Sequence, residues 1–217
     1  GLTVSCGDDD TKSVDDYITI PDDGDDDSQV AISDTIAISI TWSGSEVVLS
    51  GDSSSICSIN GADVTITSTS NRFLLLTLSG TTSDGSLLVY SLKKYGIILN
   101  GVNITNQDGP AINNQCGKSL YVTLADGTTN VLTDGVSYAE QTYSQKGTFF
   151  SEGQIYFDGT GSLTVHGNAK NGIASDDYII INSGTINVSV DGTGSNGFKV
   201  KDGFTINGGT LGIAVKA

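Results

Sequence analysis

Gly161-Ser162-Leu163-Thr164-Val165 returns as Gly184-Thr185-Ile186-Asn187-Val188 and again as Gly209-Thr210-Leu211-Gly212-Ile213, at steps of 23 and 25 residues. Between these copies Asn171-Gly172-Ile173 recurs as Asn196-Gly197-Phe198, and Tyr178-Ile179-Ile180-Ile181-Asn182 as Gly203-Phe204-Thr205-Ile206-Asn207, both 25 residues on. Self-similarity at a fixed period of this length marks a chain built from stacked units. Each segment has about 4 to 6 residues of alternating apolar positions rich in Ile, Val and Thr, which selects strand over helix.

At about 3.3 Å per residue, one unit traces a circuit of roughly 80 Å, enough for three short sides and three corners. A lone circuit can neither pair its strands nor bury its inner face; stacking circuits about 4.8 Å apart does both. The expectation is an all-β, right-handed, single-stranded parallel β-helix with three strands per coil of 23–25 residues. A propeller blade needs about 40 residues, and a sandwich shows turns every 8 to 12 residues without long-range repetition. Upstream, Val47-Val48-Leu49, Val64-Thr65-Ile66, Phe73-Leu74-Leu75-Leu76, Leu87-Leu88-Val89, Ile97-Ile98-Leu99, Val102-Asn103-Ile104, Leu120-Tyr121-Val122 and Val131-Leu132 read as further strands. Residues 135–147 lack the pattern and read as an excursion loop.

The 217 residues carry 25 acidic and 10 basic side chains, a net charge of −15. Residues 1–34 hold 11 Asp and one Lys, so the acidity is concentrated there. A chain so short of positive charge lacks the basic face that binds a phosphate backbone, which argues against nucleic acid as a partner. No apolar run approaches the roughly 18 residues of a membrane span. Residues 1–35 are expected to be a signal remnant and acidic tether, and 36–217 the folded domain, truncated or uncapped at its C-terminal coil and open there to end-to-end self-association.

With no methionine in the sequence, Gly1 is expected to follow a processing point or an artificial junction. Gly1-Leu2-Thr3-Val4-Ser5-Cys6 resembles the end of a bacterial lipoprotein signal peptide, and Gly7-Asp8-Asp9-Asp10 resembles the acidic export tag of Bacteroidetes-type surface lipoproteins. The resemblance implies lipidation at Cys6 and an outer-membrane, cell-surface location. Cys57 and Cys116 read as buried free thiols, and Trp42, in an alternating run, as core. His166 is the only histidine, which excludes mechanisms that need two.

The sequence also contains Ile98-Leu99-Asn100-Gly101-Val102-Asn103-Ile104-Thr105, Gly109-Pro110-Ala111-Ile112, the run from Val122-Thr123-Leu124-Ala125-Asp126-Gly127 to Thr133-Asp134-Gly135, and Asn171-Gly172-Ile173-Ala174-Ser175-Asp176-Asp177. These stretches resemble the bacterial carbohydrate-binding β-helix family that is related in shape to pectate lyases. The resemblance implies an extracellular domain that binds pectin- or cellulose-type polysaccharide and contains calcium. One departure is that turns reading Asp-Gly-Ile in the family are Asn171-Gly172-Ile173 and Asn196-Gly197-Phe198 here, with fewer carboxylates.

If the coils stack, Glu152, Asp176 and Lys201 form one column, and Asp177 and Asp202 another. Two carboxylates about 4.8 Å apart repel by roughly 3.5 kcal/mol at an effective dielectric near 20, so a raised pKa, a lysine or Ca2+ should offset them. The candidate metal ligands are Asp176, Asp177, Asp202, Asn171 and Asn196, with Asp126 and Asp134 as further candidates. The candidate sugar-binding residues are Lys199, Lys201 and Lys170, which suit a carboxylate, and Tyr178, which suits a sugar ring; Tyr138 and Tyr143 are further platforms. Stacked Asn171/Asn196 and Asn182/Asn207 read as structural amide ladders. The function expected is non-catalytic, calcium-assisted polysaccharide binding. A calcium-dependent polysaccharide lyase and a structural adhesin or assembly module are the alternatives, and no catalytic residue is assigned.

Overall fold

The computed structural model describes residues 31–52, 55–192 and 195–216. The acidic stretch through residue 30, with Cys6, lies outside the described residues. Among the described residues a larger sheet holds twelve strands: β1 (Ala31–Ser43), β2 (Glu46–Gly51), β5 (Arg72–Thr82), β7 (Tyr95–Thr105), β9 (Leu120–Leu124), β10 (Thr129–Thr133), β12 (Ile155–Gly159), β13 (Ser162–Gly167), β15 (Tyr178–Ile181), β16 (Thr185–Val190), β18 (Gly203–Ile206) and β19 (Thr210–Val215). A smaller sheet holds seven: β3 (Cys57–Asn60), β4 (Asp63–Ser68), β6 (Ser86–Ser91), β8 (Ile112–Asn114), β11 (Gly147–Ser151), β14 (Asn171–Ser175) and β17 (Phe198–Val200).

The repeats pair in parallel and in the register that the sequence copies dictate. Leu163 lies beside Ile186 and Ile186 beside Leu211; Ile173 lies beside Phe198; Ile181 lies beside Ile206. Side chains alternate across a strand, so each apolar column points to one face. Ile155, Phe157, Leu163, Val165, Ile179, Ile181 and Ile186 are all buried in one core, together with Phe149 and Ile173 from the smaller sheet. Trp42 joins that core, its indole N–H donating to the Ala62 carbonyl at 2.8 Å.

The expected right-handed, single-stranded parallel β-helix with three strands per coil is overturned. The described strands form two sheets instead of three faces, and the larger one curls into a half-barrel. The cause lies in β5 and β7, 11 residues each, which run on through positions where the pattern suggested a corner. Tyr95–Leu99 of β7 pairs with β9, and Asn103–Thr105 of the same strand pairs with β10, which fuses two would-be faces into one sheet. Gly101, at φ 80, turns the chain between these halves, and the buried Asn130 side chain accepts the Gly101 and Val102 N–H groups at 2.8 and 3.0 Å. At the N-terminal end the pattern departs again: β1 pairs antiparallel with β2, and β3 with β4.

The segment between β10 and β11 does not leave the body of the protein. It lies as a strap over the outer face of the smaller sheet. The Ser144 carbonyl accepts hydrogen bonds from Asn113 Nδ2 and Gln115 Nε2, both at 3.0 Å, and Ala139 N–H donates to the Asp108 carbonyl at 2.8 Å. Phe150 and Ala174 point outward from this sheet yet are buried, because the strap and its neighbours cover them.

Stacking sets a tight limit where coils turn. Gly159 has φ 91 and sits beside Leu124, and a Cβ there would come within 2.1 Å of the Leu124 carbonyl oxygen. Gly159→Ala is expected to cost at least about 2 kcal/mol, a fall in Tm of about 4–8 °C for a chain of this size. Thermal unfolding measures it; an unchanged Tm would show that the coils at this turn are not packed as described.

Candidate functional site

The three residues after Asn168 and the ends of two flanking strands build a lysine-lined cleft on the outer face of the smaller sheet. Its volume is about 300 Å³, and Lys146, Lys170, Lys199, Asn171 and Gln145 are among its lining residues. Each position follows from register. Gly147 pairs with Asn171, which carries Lys146 next to Lys170 along the stack, and Ala174 pairs with Lys199. Lys199 therefore extends the outward column of Phe150 and Ala174.

Each ammonium is placed differently. Lys146 Nζ donates to both Asp176 oxygens at 2.6 Å and lies 5.6 Å from the centroid of the Phe150 ring. Lys170 Nζ donates to the Gln145 carbonyl at 2.8 Å and sits over the Tyr138 ring at 4.6 Å. Lys199 is exposed and makes no ion pair among the described residues. An ammonium has three donors, so Lys170 and Lys199 keep capacity for an anionic ligand.

The columns expected from sequence are present at the turn between the smaller and larger sheets. Ser151 lies beside Ser175 and Ser175 beside Val200, so Glu152, Asp176 and Lys201 follow in one column; Asp202 N–H donates to the Asp177 carbonyl at 3.0 Å. The carboxylate repulsion is met by two of the anticipated offsets. Burial, and then the hydrogen bond and charge of Asp176, raise the Glu152 carboxyl above its ordinary value, while Lys146 opposes the rise. The lysine that neutralises Asp176 is Lys146, a residue the sequence reading left in the loop; Lys199 and Lys201 do not take that part.

The calcium set does not come together as a cage. Both Asp176 oxygens are occupied by Lys146, and Asn171 Oδ1 accepts the Asn196 N–H at 2.8 Å and its side-chain amide at 3.4 Å. Asp126 accepts from Thr160 Oγ1 at 2.7 Å. Asp134 is buried and accepts from Tyr138 Oη and the Asn168 N–H, both at 2.6 Å, so it latches the strap to the next coil. Among the described residues no three His, Cys, Asp or Glu side chains gather closely enough to hold a metal. As arranged, these residues do not fit a calcium ion, which seeks about 6 to 8 oxygens.

Tyr178 is 45% exposed, and its ring lies against Gly203 at the start of β18 in the larger sheet, outside the lysine cleft. Lys201 is exposed at the turn and also lies outside the cleft. The asparagine ladders form: Asn207 Nδ2 donates to Asn182 Oδ1 at 2.9 Å, as Asn196 does to Asn171. Cys57 and Cys116 are thiols outside any disulfide; Cys57 is half-buried, and Cys116 is buried with its Sγ donating to the Lys93 carbonyl at 3.5 Å.

Residues 60–217 match the family described as carbohydrate-binding domain-containing protein. The chain belongs to that family. A carbohydrate-binding domain-containing protein of Acetivibrio thermocellus is 36% identical over 108 residues, which is 48% of this chain and 38% of that relative, so the match spans well under half of the relative's length. A solved polysaccharide lyase-like protein from C. thermocellum, in its gadolinium derivative, superposes with a TM-score of 0.68 at 28% identity over 83% of each chain. In this carbohydrate-binding domain the matched span takes in both the lysine cleft and the carboxylate column beside it.

Because the folded-state pKa of Glu152 is raised, the stability linked to it is full below the unfolded carboxyl pKa, near 4.3, and is lost as pH rises through the folded value. Glu152→Gln is therefore expected to raise Tm at pH 7 and to leave it unchanged near pH 3.5. Solvent screening holds the gain to at most about 1 kcal/mol, or about 2–4 °C. Melting curves of both proteins between those pH values measure it, and a difference that does not vary with pH would contradict the paired-carboxyl arrangement.

Proposed function

We propose that this chain is a non-catalytic carbohydrate-binding domain whose lysine cleft holds the carboxylates of an acidic, pectin-type polysaccharide. The observation that carries the reading is the convergence of Lys146, Lys170 and Lys199 on one cleft of about 300 Å³ in a chain whose net charge is −15. A chain with an excess of acidic side chains attracts a polyanion only where cations are gathered, and charge-assisted hydrogen bonds to uronate carboxylates are stronger than neutral ones. Membership of the carbohydrate-binding family supports the sugar; the lysines support its acidic class.

Binding in this reading is lysine-driven, and of the residues that calcium assistance would use, Asp176 is engaged by Lys146 and Asn171 by Asn196. A lyase is the second reading, favoured by the likeness to a polysaccharide lyase-like protein and by Lys199, an exposed amine lining the cleft. Display on the cell surface through a lipid on Cys6 completes the proposal and rests on the residues around that cysteine. End-to-end association belongs to the assembly-module alternative. Ile206, Ile213 and Val215, which continue core columns, are 50%, 53% and 58% exposed on the last strands.

Retention on polygalacturonate is expected to fall about tenfold for Lys199→Ala and below detection when Lys146, Lys170 and Lys199 are all alanine, since each charged hydrogen bond is worth about 1.5–3 kcal/mol. It should weaken steeply with added salt and survive a calcium chelator. Equal retention of the triple variant would refute the cleft, and loss with chelator would restore calcium. Ultraviolet-absorbing unsaturated products would establish the lyase instead.

A further inference from the structure

A second cavity, of about 170 Å³, opens on the same outer face of the smaller sheet, and Gln145 of the strap lines both it and the lysine cleft. Its floor is one outward row of three parallel strands: Thr65 beside Leu88 and Leu88 beside Asn113. The adjacent row supplies Asp63, one of whose oxygens accepts from Ser86 Oγ at 2.8 Å. The wall is the turn with Asp108, and the roof is Tyr143 and Gln141 of the strap.

This lining is the chemical opposite of the lysine cleft. It contains two carboxylates, Asp63 and Asp108, with amides, hydroxyls and one tyrosine ring, and no lysine or arginine is among its lining residues. Burial raises the Asp63 carboxyl, the Ser86 hydrogen bond opposes the rise, and the charges of Asp108 and Asp84 add to it; burial first, then Tyr90 and the lining carboxylates Asp108 and Asp63, raise the Tyr143 hydroxyl. The negative potential is therefore felt inside the cavity and turns a uronate away. Carboxylates and amides are strong acceptors and donors for sugar hydroxyls, and the Tyr143 ring among the lining residues offers an apolar face to a pyranose C–H surface. The volume lies below the roughly 300–1,000 Å³ of pockets for larger ligands and displaces about six waters at about 30 Å³ each, which fits a single ring better than an oligomer. The strap that roofs the cavity is fixed at several points, by the bonds to Ser144 and Ala139 and by Gln145 Nε2 donating to the Ala139 carbonyl at 2.9 Å, so the site is built before a ligand arrives.

We propose that the cavity between Asp63, Asp108 and Tyr143 binds one neutral hexopyranose residue, as a subsite separate from the lysine cleft. It rests on the reading that this chain binds glycans and does not depend on the acidic class assigned to the cleft. A polymer carrying both uronate and neutral sugars would engage both faces of the strap, with Gln145 between them.

Ligand-observed saturation-transfer NMR on the whole chain, with methyl glycosides and disaccharides of glucose, galactose and mannose and with galacturonate and glucosamine as counter-probes, tests the proposal. At least one neutral sugar should show binding that Asp108→Asn weakens about tenfold and Tyr143→Ala abolishes, while Val48→Ala, at an exposed position of β2 outside both cavities, leaves it unchanged. Tm of each variant reports whether the strap is intact, and the conservative Asp108→Asn keeps the test sound if Tyr143→Ala disturbs it. Absence of any neutral-sugar signal, indifference to Asp108→Asn, or stronger binding of galacturonate or charged glucosamine at this site would each overturn it. Polygalacturonate retention by Asp108→Asn separates the two readings: preserved retention leaves the lysine cleft standing whatever the cavity does.

Discussion

Parallel backbone pairing between copies of the repeat is the constraint on which the rest of the structure depends. Each copy fixes the register of the next, and a slip of one residue would turn every core side chain outward. With Leu163, Ile186 and Leu211 held in one column and Ile173 and Phe198 in another, the polar residues one position away have no choice of neighbour. Glu152 must stand by Asp176, and Lys199 must follow Ala174 on the outer face. The arrangement of the candidate site is thus a by-product of core registration, and glycine is required where successive turns approach too closely for a Cβ, as at Gly159.

A stacked structure also multiplies charge conflicts, because like residues recur along a column. Here the conflict at Glu152 and Asp176 is resolved by a cation from outside the column, Lys146, which the register of β11 delivers from the end of the strap. Asp134 shows another resolution: a buried carboxylate held by Tyr138 and the Asn168 N–H, tying the strap to the coil beneath it. With the strap so anchored, its two sides differ in charge, lysines on one and carboxylates on the other. Such a division lets one short segment organise contacts of opposite polarity a few residues apart.

Most strands, the parallel stacking of the C-terminal repeats, the asparagine ladders and the carboxylate column were legible in the sequence, because each depends on period and local composition. The sheet count was not. Gly101 looks like a corner in sequence, yet a glycine at positive φ lets β7 bend without losing its pairing, and nothing local distinguishes the two cases. The antiparallel pairs β1–β2 and β3–β4 carry no repeat signal. Lys170 and Lys199, singled out in the sequence as candidates, both line the cleft, while Lys201 and Tyr178 fall outside it because the turn after β14 and β17 carries them toward the other sheet. Lys146 was findable: it stands 24 residues before Lys170, the same step that separates Ser151 from Ser175. The cavity under Tyr143 was not, since the strap has no repeat and its fold-back is decided by long-range hydrogen bonds to Asn113 and Gln115.

The most direct measurement is a crystal structure of the chain with an oligogalacturonide. The account predicts uronate carboxylates within hydrogen-bond distance of Lys170 and Lys199 Nζ on the outer face of the smaller sheet, with Lys146 still on Asp176. Ligand density elsewhere on the molecule, or a metal ion bridging the sugar to Asp176, Asp177 and Asp202, would contradict it.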